Sequence, residues 1–261
     1  LSYNEINSLG LPDLSTNQLI LQGCYPEIYD KQRSHQIWYP AYIRTYVERD
    51  VKLLRNIDNT LLFTRFVQLC AGRIGQQLSV SALSNECGID VKTVQAWLSI
   101  LQSSFIIYLL PPHFKNFNKR VVKTPKLYFT DTGLACSLLG IRSENEVSNS
   151  HFRGALFENY VVNELLKHKF NTGSPVNLYY WRDSLGVEID ILLDTGRTLY
   201  PIEIKASETF QESHLKPMQQ WQRISKITRG LLLYDGEQEF DRQDSVNVRN
   251  WRSIAACMAE I

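Results

Sequence analysis

The sequence predicts an α/β protein in two parts, a helical winged-helix-like N-terminal region and a compact αβββαβ unit, and three observations carry this. Residues 41–103 keep helical spacing and contain a helix, a glycine turn and a second helix. The polar run "SENEVSNS" at 143–150 interrupts the aliphatic rhythm. Beyond it, "GVEIDILLDTGRTLYPIEIKAS" at 186–207 alternates with period two around a turn signal.

In order along the chain, Ile43, Tyr46, Val47, Val51 and Leu54 predict a helix over 41–56, and "TLLFTRFVQLCAG" a second one with Gly72 as its C-cap. A short helix over Val80–Cys87 should end at Gly88. The next should start behind Asp90, an N-cap residue, and run to about Ser103. The apolar "FIIYLL" then reads as the first strand of a wing. The stretch 113–129 brings Lys115, Lys119, Arg120, Lys123 and Lys126 with no acid before Asp131. It reads either as a wing gripping phosphates or as a solvated hairpin whose lysines keep an edge soluble. The second helix of the pair offers only Lys92, Gln95, Ser99 and Gln102 outward, which is little for reading bases. After the break come helix 152–168, strands 177–181, 186–194 and 199–205, helix 211–225 and strand 230–235, with "SVNVRNW" as a last strand. The expected divisions are 1–30, 31–142 and 150–261.

With 28 basic and 27 acidic residues, the net charge of +1 gives no global pull toward nucleic acid or membrane. The five cysteines fall into no CxxC pair and the histidines into no HxxxH, which argues against structural zinc and for a reducing compartment. No signal peptide and no membrane-spanning run is present, so a cytoplasmic location is expected. The chain opens without Met on a segment that reads like the middle of a longer protein, and it contains no GxxxxGK[ST].

Residues two apart on a strand share a face, so Glu188 and Asp190 face together, as do Glu203 and Lys205. A turn at Thr195-Gly196 would pair 188 with 203 and 190 with 201. Asp190 and Glu203 would then be diagonal neighbours, roughly 7–8 Å apart at Cα. On the preceding helix, Glu158 falls within the apolar stripe of Phe157, Val161, Val162, Leu165 and Leu166. A carboxylate placed there needs a metal ion, a lysine or a water network to offset its lost hydration. The bare [DE]xK pattern is weak, since it recurs at Asp50–Lys52 and Asp90–Lys92 in helical contexts. Only Glu203-Ile204-Lys205 sits in a strand, beside Asp190 and behind Glu158.

These residues give 150–261 its resemblance to the PD-(D/E)xK nuclease superfamily, with Ile189-Asp190 in place of the usual Pro-Asp. The resemblance implies a restriction-endonuclease-like fold in which Glu158, Asp190, Glu203 and Lys205 are catalytic. Asp190, Glu203 and Glu158 would hold Mg²⁺ or Mn²⁺, with Glu188 an extra ligand or a rim residue, and DNA would be the substrate. Arg182 and the basic wing would contact phosphates. More widely, "LILQGCYPEIYD", "YVERDV", "VVKTPKLYFTDTGLACSLLG", "FENYVVNELL", "YYWRDSLGVEIDILL" and "YPIEIKAS" resemble prokaryotic AAA-type ATPases that carry a winged helix and a C-terminal nuclease-like domain. That resemblance implies an ATPase domain ahead of these residues, with 1–30 as its trailing edge. ATP would act only through that domain. Two further readings stand beside the nuclease: a non-catalytic docking or regulatory module of the ATPase, and a DNA-binding regulator built on the winged helix. Oligomeric state is left open.

Overall fold

The structure, a computed structural model, describes residues 1–50, 60–114, 117 and 121–261. The protein is mixed α/β and divides into two compact units, Leu1–Leu109 with Lys126–Tyr160, and Leu110–Pro125 with Val161–Ile261. The division falls inside one helix, after Tyr160, and not at 143–150. That polar run is itself helical, over Glu144–Asn149, because Ser143 caps it by accepting the Glu146 N–H at 3.3 Å.

The first unit begins with four short helices, α1 (Tyr3–Asn7), α2 (Thr16–Gln22), α3 (Pro26–Asp30) and α4 (His35–Tyr42). A π-helical segment, Ile43–Asp50, follows, and the remainder of the helix expected over 41–56 lies outside the described residues. Next come α5 (Thr60–Ala71), α6 (Val80–Cys87) and α7 (Val91–Ser103). Gly88 ends α6 in the left-handed region at φ 69°, and Asp90 caps α7 by accepting the Thr93 N–H at 3.0 Å. Strands β1 (Ile107–Leu110) and β2 (Lys126–Phe129) form a two-stranded ladder behind them. Helix, turn, helix and ladder follow the order expected of a winged helix. Helices α8 (Thr132–Leu138) and α9 (Glu144–Asn149) lead into α10 (Arg153–Asn171), whose first part belongs to this unit.

A buried polar hub fixes the packing here. Asp131, 2% exposed, caps α8 through Leu134 N–H at 2.7 Å. It also accepts the Tyr39 hydroxyl and the Cys24 N–H, each at 2.7 Å. Burial, then the Asp131 charge, push the Tyr39 phenol well above its ordinary pKa, so it stays a donor. Gly23 and Gly133 leave the room this hub needs, since a Cβ at either would overlap the Tyr39 hydroxyl.

In the second unit, β3 (Leu178–Arg182), β4 (Glu188–Asp194), β5 (Leu199–Lys205), β6 (Gly230–Tyr234), β7 (Phe240–Asp241) and β8 (Val246–Asn250) form one sheet in the order β3-β4-β5-β6-β8-β7. The first three run antiparallel, while β5, β6 and β8 are parallel. The helix expected over 211–225 is a 3₁₀ turn, Glu212–Leu215, followed by α11 (Lys216–Ser225), and α12 (Ile254–Ala259) closes the chain. Trp221 of α11 packs with Trp181, Ile189, Leu192 and Leu199, and Met218 packs with Leu232, Tyr234, Val246 and Val248. Each such aliphatic side chain contributes roughly 1.5–3 kcal/mol of transfer free energy.

Residues 111–113 and 121–122, described at the two ends of the basic stretch, pair with β3 of the second unit. Pro111 O accepts Tyr180 N–H at 3.1 Å, and Val122 N–H donates to Arg182 O at 2.9 Å. Both contacts cover the outer edge of β3, which would otherwise expose unpaired backbone groups.

Cys70, Cys87, Cys136 and Cys257 are buried and Cys24 is half-buried. Burial pushes the Cys70 and Cys136 thiols up, and that of Cys257 to about 11. A thiol reagent at neutral pH is therefore expected to modify at most Cys24 in the folded chain and all five cysteines in denaturant. Rapid native labelling of several thiols would contradict this packing. Among the described residues, no helix is long and apolar enough to cross a membrane.

Candidate catalytic and metal site

The β4–β5 register sets the site. The pairs are Ile191 with Ile202, Leu192 with Pro201, Leu193 with Tyr200 and Asp194 with Leu199. This differs by two residues from the expected register, because the loop is the four-residue turn 195–198. Thr195 N–H donates to Thr198 O at 3.0 Å, and Gly196 N–H to Asp194 Oδ1 at 2.8 Å with φ 77° at Gly196. A two-residue shift keeps every side chain on its face. It carries Asp190 level with Glu203 rather than diagonal to it.

Glu203 is 1% exposed, and its Oε2 accepts Lys205 Nζ at 2.9 Å. The same ammonium lies 3.5 Å from Asp190 Oδ2, which also accepts the Ile204 N–H at 2.9 Å. One lysine thus balances two carboxylates at the end of β5. A buried carboxylate is tolerated only with such compensation, because desolvating an ion costs several kcal/mol. At the outer strand pair, Arg182 Nη1 meets Glu188 Oε2 at 2.7 Å, so Arg182 is already engaged.

His214, which sequence reasoning missed, lies in the 3₁₀ turn after β5, and a lone histidine in a polar run carries no signal. Its Nδ1 accepts the Gln211 N–H at 3.3 Å. Burial, then the Lys205 charge, lower its pKa. The folded chain therefore binds fewer protons here than the unfolded one. Its stability should fall as pH drops from about 6.5, the ordinary histidine value, through the lower folded value. His214→Gln is expected to flatten that part of a melting-temperature profile taken between about pH 7.5 and pH 5.

Glu158 belongs to the first unit. Its Oε1 lies 3.0 Å from Lys126 Nζ and accepts the Tyr128 hydroxyl at 2.5 Å. Of the three compensations the sequence allowed, a lysine is present, and it is Lys126. Beside it Asn159, fully buried, accepts Phe129 N–H at 2.8 Å and donates to Phe129 O at 2.7 Å. The pair Glu158-Asn159 thus fastens α10 to β2, a role that sequence reasoning missed.

Lys126 is correspondingly 2% exposed, which corrects its expected place on a phosphate-gripping wing: its ammonium is spent inward on Glu158. Lys123 is exposed, while Lys115, Lys119 and Arg120 lie outside the described residues. Among the described residues, no group of three or more histidine, cysteine or acidic side chains is arranged to hold a metal ion.

Residues 14–145, just over half of the chain, match a family described as "Domain of unknown function (DUF8612)". The chain belongs to the DUF8612 family. In this DUF8612 protein, residues 153–254 also match "Domain of unknown function (DUF4143)". It is similar to uncharacterized proteins of Mycobacterium bovis (Mb2031c) and Mycobacterium tuberculosis (Rv2008c), at 28% identity over 247 residues for each. The match covers 93% of the chain and 55% of each relative, so the chain spans about half the length of these relatives.

Proposed function

We propose that the second unit of this DUF8612 protein is a Mg²⁺- or Mn²⁺-dependent phosphodiester hydrolase of PD-(D/E)xK type, acting on DNA in the cytoplasm and coupled in a longer protein to an AAA-type ATPase domain. The observation that carries the reading is the buried Glu203 held level with Asp190 on one sheet face, with Lys205 bridging them at the strand end. Two adjacent carboxylates suit a small hard cation. Magnesium commonly takes only one or two protein carboxylates and fills its shell with water and substrate phosphate. Asp190 and Glu203 would hold the ion. When bound it would polarise the phosphoryl oxygen and lower the pKa of its water. Lys205 would orient the attacking water and stabilise charge on the phosphorane. Hydrolysis would join the water oxygen to phosphorus and break one ester bond, leaving a phosphate monoester and a hydroxyl group. Glu158, already engaged by Lys126 and Tyr128, is left out of the ion's ligands.

Plasmid and oligonucleotide substrates incubated with Mg²⁺ or Mn²⁺ test this, beside Asp190→Asn. Metal-dependent cleavage that the variant lacks is the expected result. The reading is overturned if neither this chain nor the full-length protein cleaves with either metal and neither ion shifts the melting temperature. One observation favours a second reading, a docking module without catalysis. The helix carboxylate of the motif serves packing in the first unit, as a purely structural domain would use it.

A further inference from the structure

The sheet face of the second unit that turns away from α11 carries a cavity of about 510 Å³. Strand alternation and register build its floor. Ile202 pairs with Leu231 and Leu231 with Asn247, so Tyr200, Leu231 and Asn247 project from one face of β5, β6 and β8. Glu203 pairs with Leu232, whose side chain packs under α11 on the other face. Arg249, two residues beyond Asn247, and Asp241, level with Asn247 on β7, complete the cavity face. Arg229, just before β6, and Glu260, just after α12, form its walls.

Several polar groups that meet there are unspent. Tyr200 is 9% exposed, yet its hydroxyl makes no hydrogen bond among the described residues, whereas a buried tyrosine hydroxyl usually has a partner. Burial raises its pKa, and the charges of Arg229 and Arg249 oppose the rise, as cations close to the hydroxyl do. The Arg229 guanidinium and the Asn247 amide likewise have no hydrogen-bond or ion-pair partner among the described residues. Arg249 is the fixed member. Its Nη1 donates to Phe240 O and Val248 O, each at 3.0 Å, and its Nη2 to Asp241 Oδ1. A guanidinium carries more N–H groups than these bonds use, so Arg249 keeps donors to spare.

Two guanidiniums and a phenolic donor around one space suit the oxygens of a phosphate group. Beside them, the carboxylates of Asp241 and Glu260 accept from hydroxyl groups, as an acidic residue does from a ribose hydroxyl. An apolar ligand would cover these charged groups without partners, at a cost in free energy. We infer that this cavity binds a sugar phosphate, free or as the ribose-phosphate part of a nucleotide. Arg229, Arg249 and Tyr200 take the phosphate, and Asp241, Asn247 and Glu260 take the sugar hydroxyls. The volume falls within the roughly 300–1,000 Å³ of small-molecule sites. Because it lies on the other sheet face from Asp190, Glu203 and Lys205, this site stands or falls independently of the hydrolase reading.

The test is isothermal titration calorimetry at low salt and about pH 7.5, where a phosphate monoester is close to its dianion. Ribose 5-phosphate, adenosine 5′-monophosphate, ribose and inorganic phosphate are each titrated into the parent chain, Arg229→Gln and Tyr200→Phe. Both variants should melt with the parent, because the groups they remove bond to nothing in the free chain. The expected result is saturable binding of at least one of the two phosphorylated compounds, weaker binding of inorganic phosphate and none of ribose. Each variant should bind about tenfold or more weakly, as the loss of a hydrogen bond to a charged group implies. Tighter binding of the nucleotide than of ribose 5-phosphate would support the site and identify a nucleotide, and the reverse order a free sugar phosphate. No binding of either compound at millimolar concentration would overturn the inference. So would equal affinity for inorganic phosphate, or unchanged affinity in the folded Arg229→Gln variant.

Discussion

Lys205→Met is expected to lower metal-dependent cleavage by about 10²–10³-fold, the range for loss of one charge-stabilising donor at a reacting centre. The same change should lower the stability of the metal-free chain by about 3–5 kcal/mol, as breaking a buried pair typically does. The reason lies in the apo geometry. Lys205 is 2.9 Å from the buried Glu203 and 3.5 Å from Asp190, and without it the two carboxylates lose the ammonium they share. A divalent ion supplies the missing charge. Mg²⁺ should therefore raise the melting temperature of Lys205→Met more than that of the parent. Equal increments in both proteins, or none in either, would show that the ion does not bind at these carboxylates.

Asp131→Ala should destabilise the first unit by about 3–5 kcal/mol, read as a lower urea midpoint. Alanine would leave Leu134 N–H, Cys24 N–H and the Tyr39 hydroxyl without their shared acceptor in a buried site. Each such loss costs about 1–3 kcal/mol, and the three are not additive because the site can relax. Asp131→Asn should fall between parent and alanine. Its carbonyl can still accept from Leu134 and Tyr39, but its amide would face the Cys24 N–H donor to donor. A midpoint unchanged in the alanine variant would mean that the hub does not hold α2, α4 and α8 together.

Local chemistry was legible in the sequence wherever short-range rules govern. Asp90 and Gly88 bound the helix pair where capping and left-handed φ require them. The alternation of 188–194 and 199–205 gave both strands and the shared face of Asp190, Glu203 and Lys205. Register was harder, since the turn 195–198 is set by the Asp194 and Thr195 side chains, and an even shift leaves the hydrophobic pattern unchanged. The polar run 143–150 misled as a linker because a short capped helix with a single buried residue, Val147, has almost no periodicity.

By itself, then, the sequence determined the α/β class, the helix-strand order from 152 to 235, and which charges share a strand face. Those follow from spacing along the chain. Only the tertiary structure decided where those charges are spent. Lys126, 32 residues from Glu158 in sequence, lies against it and is withdrawn from the surface. Residues 111–113 and 121–122 pair along the edge of β3, more than 50 residues away in sequence. Charge pairing acts over a few ångströms in space and is indifferent to sequence separation, so no pattern along the chain could have assigned these partners.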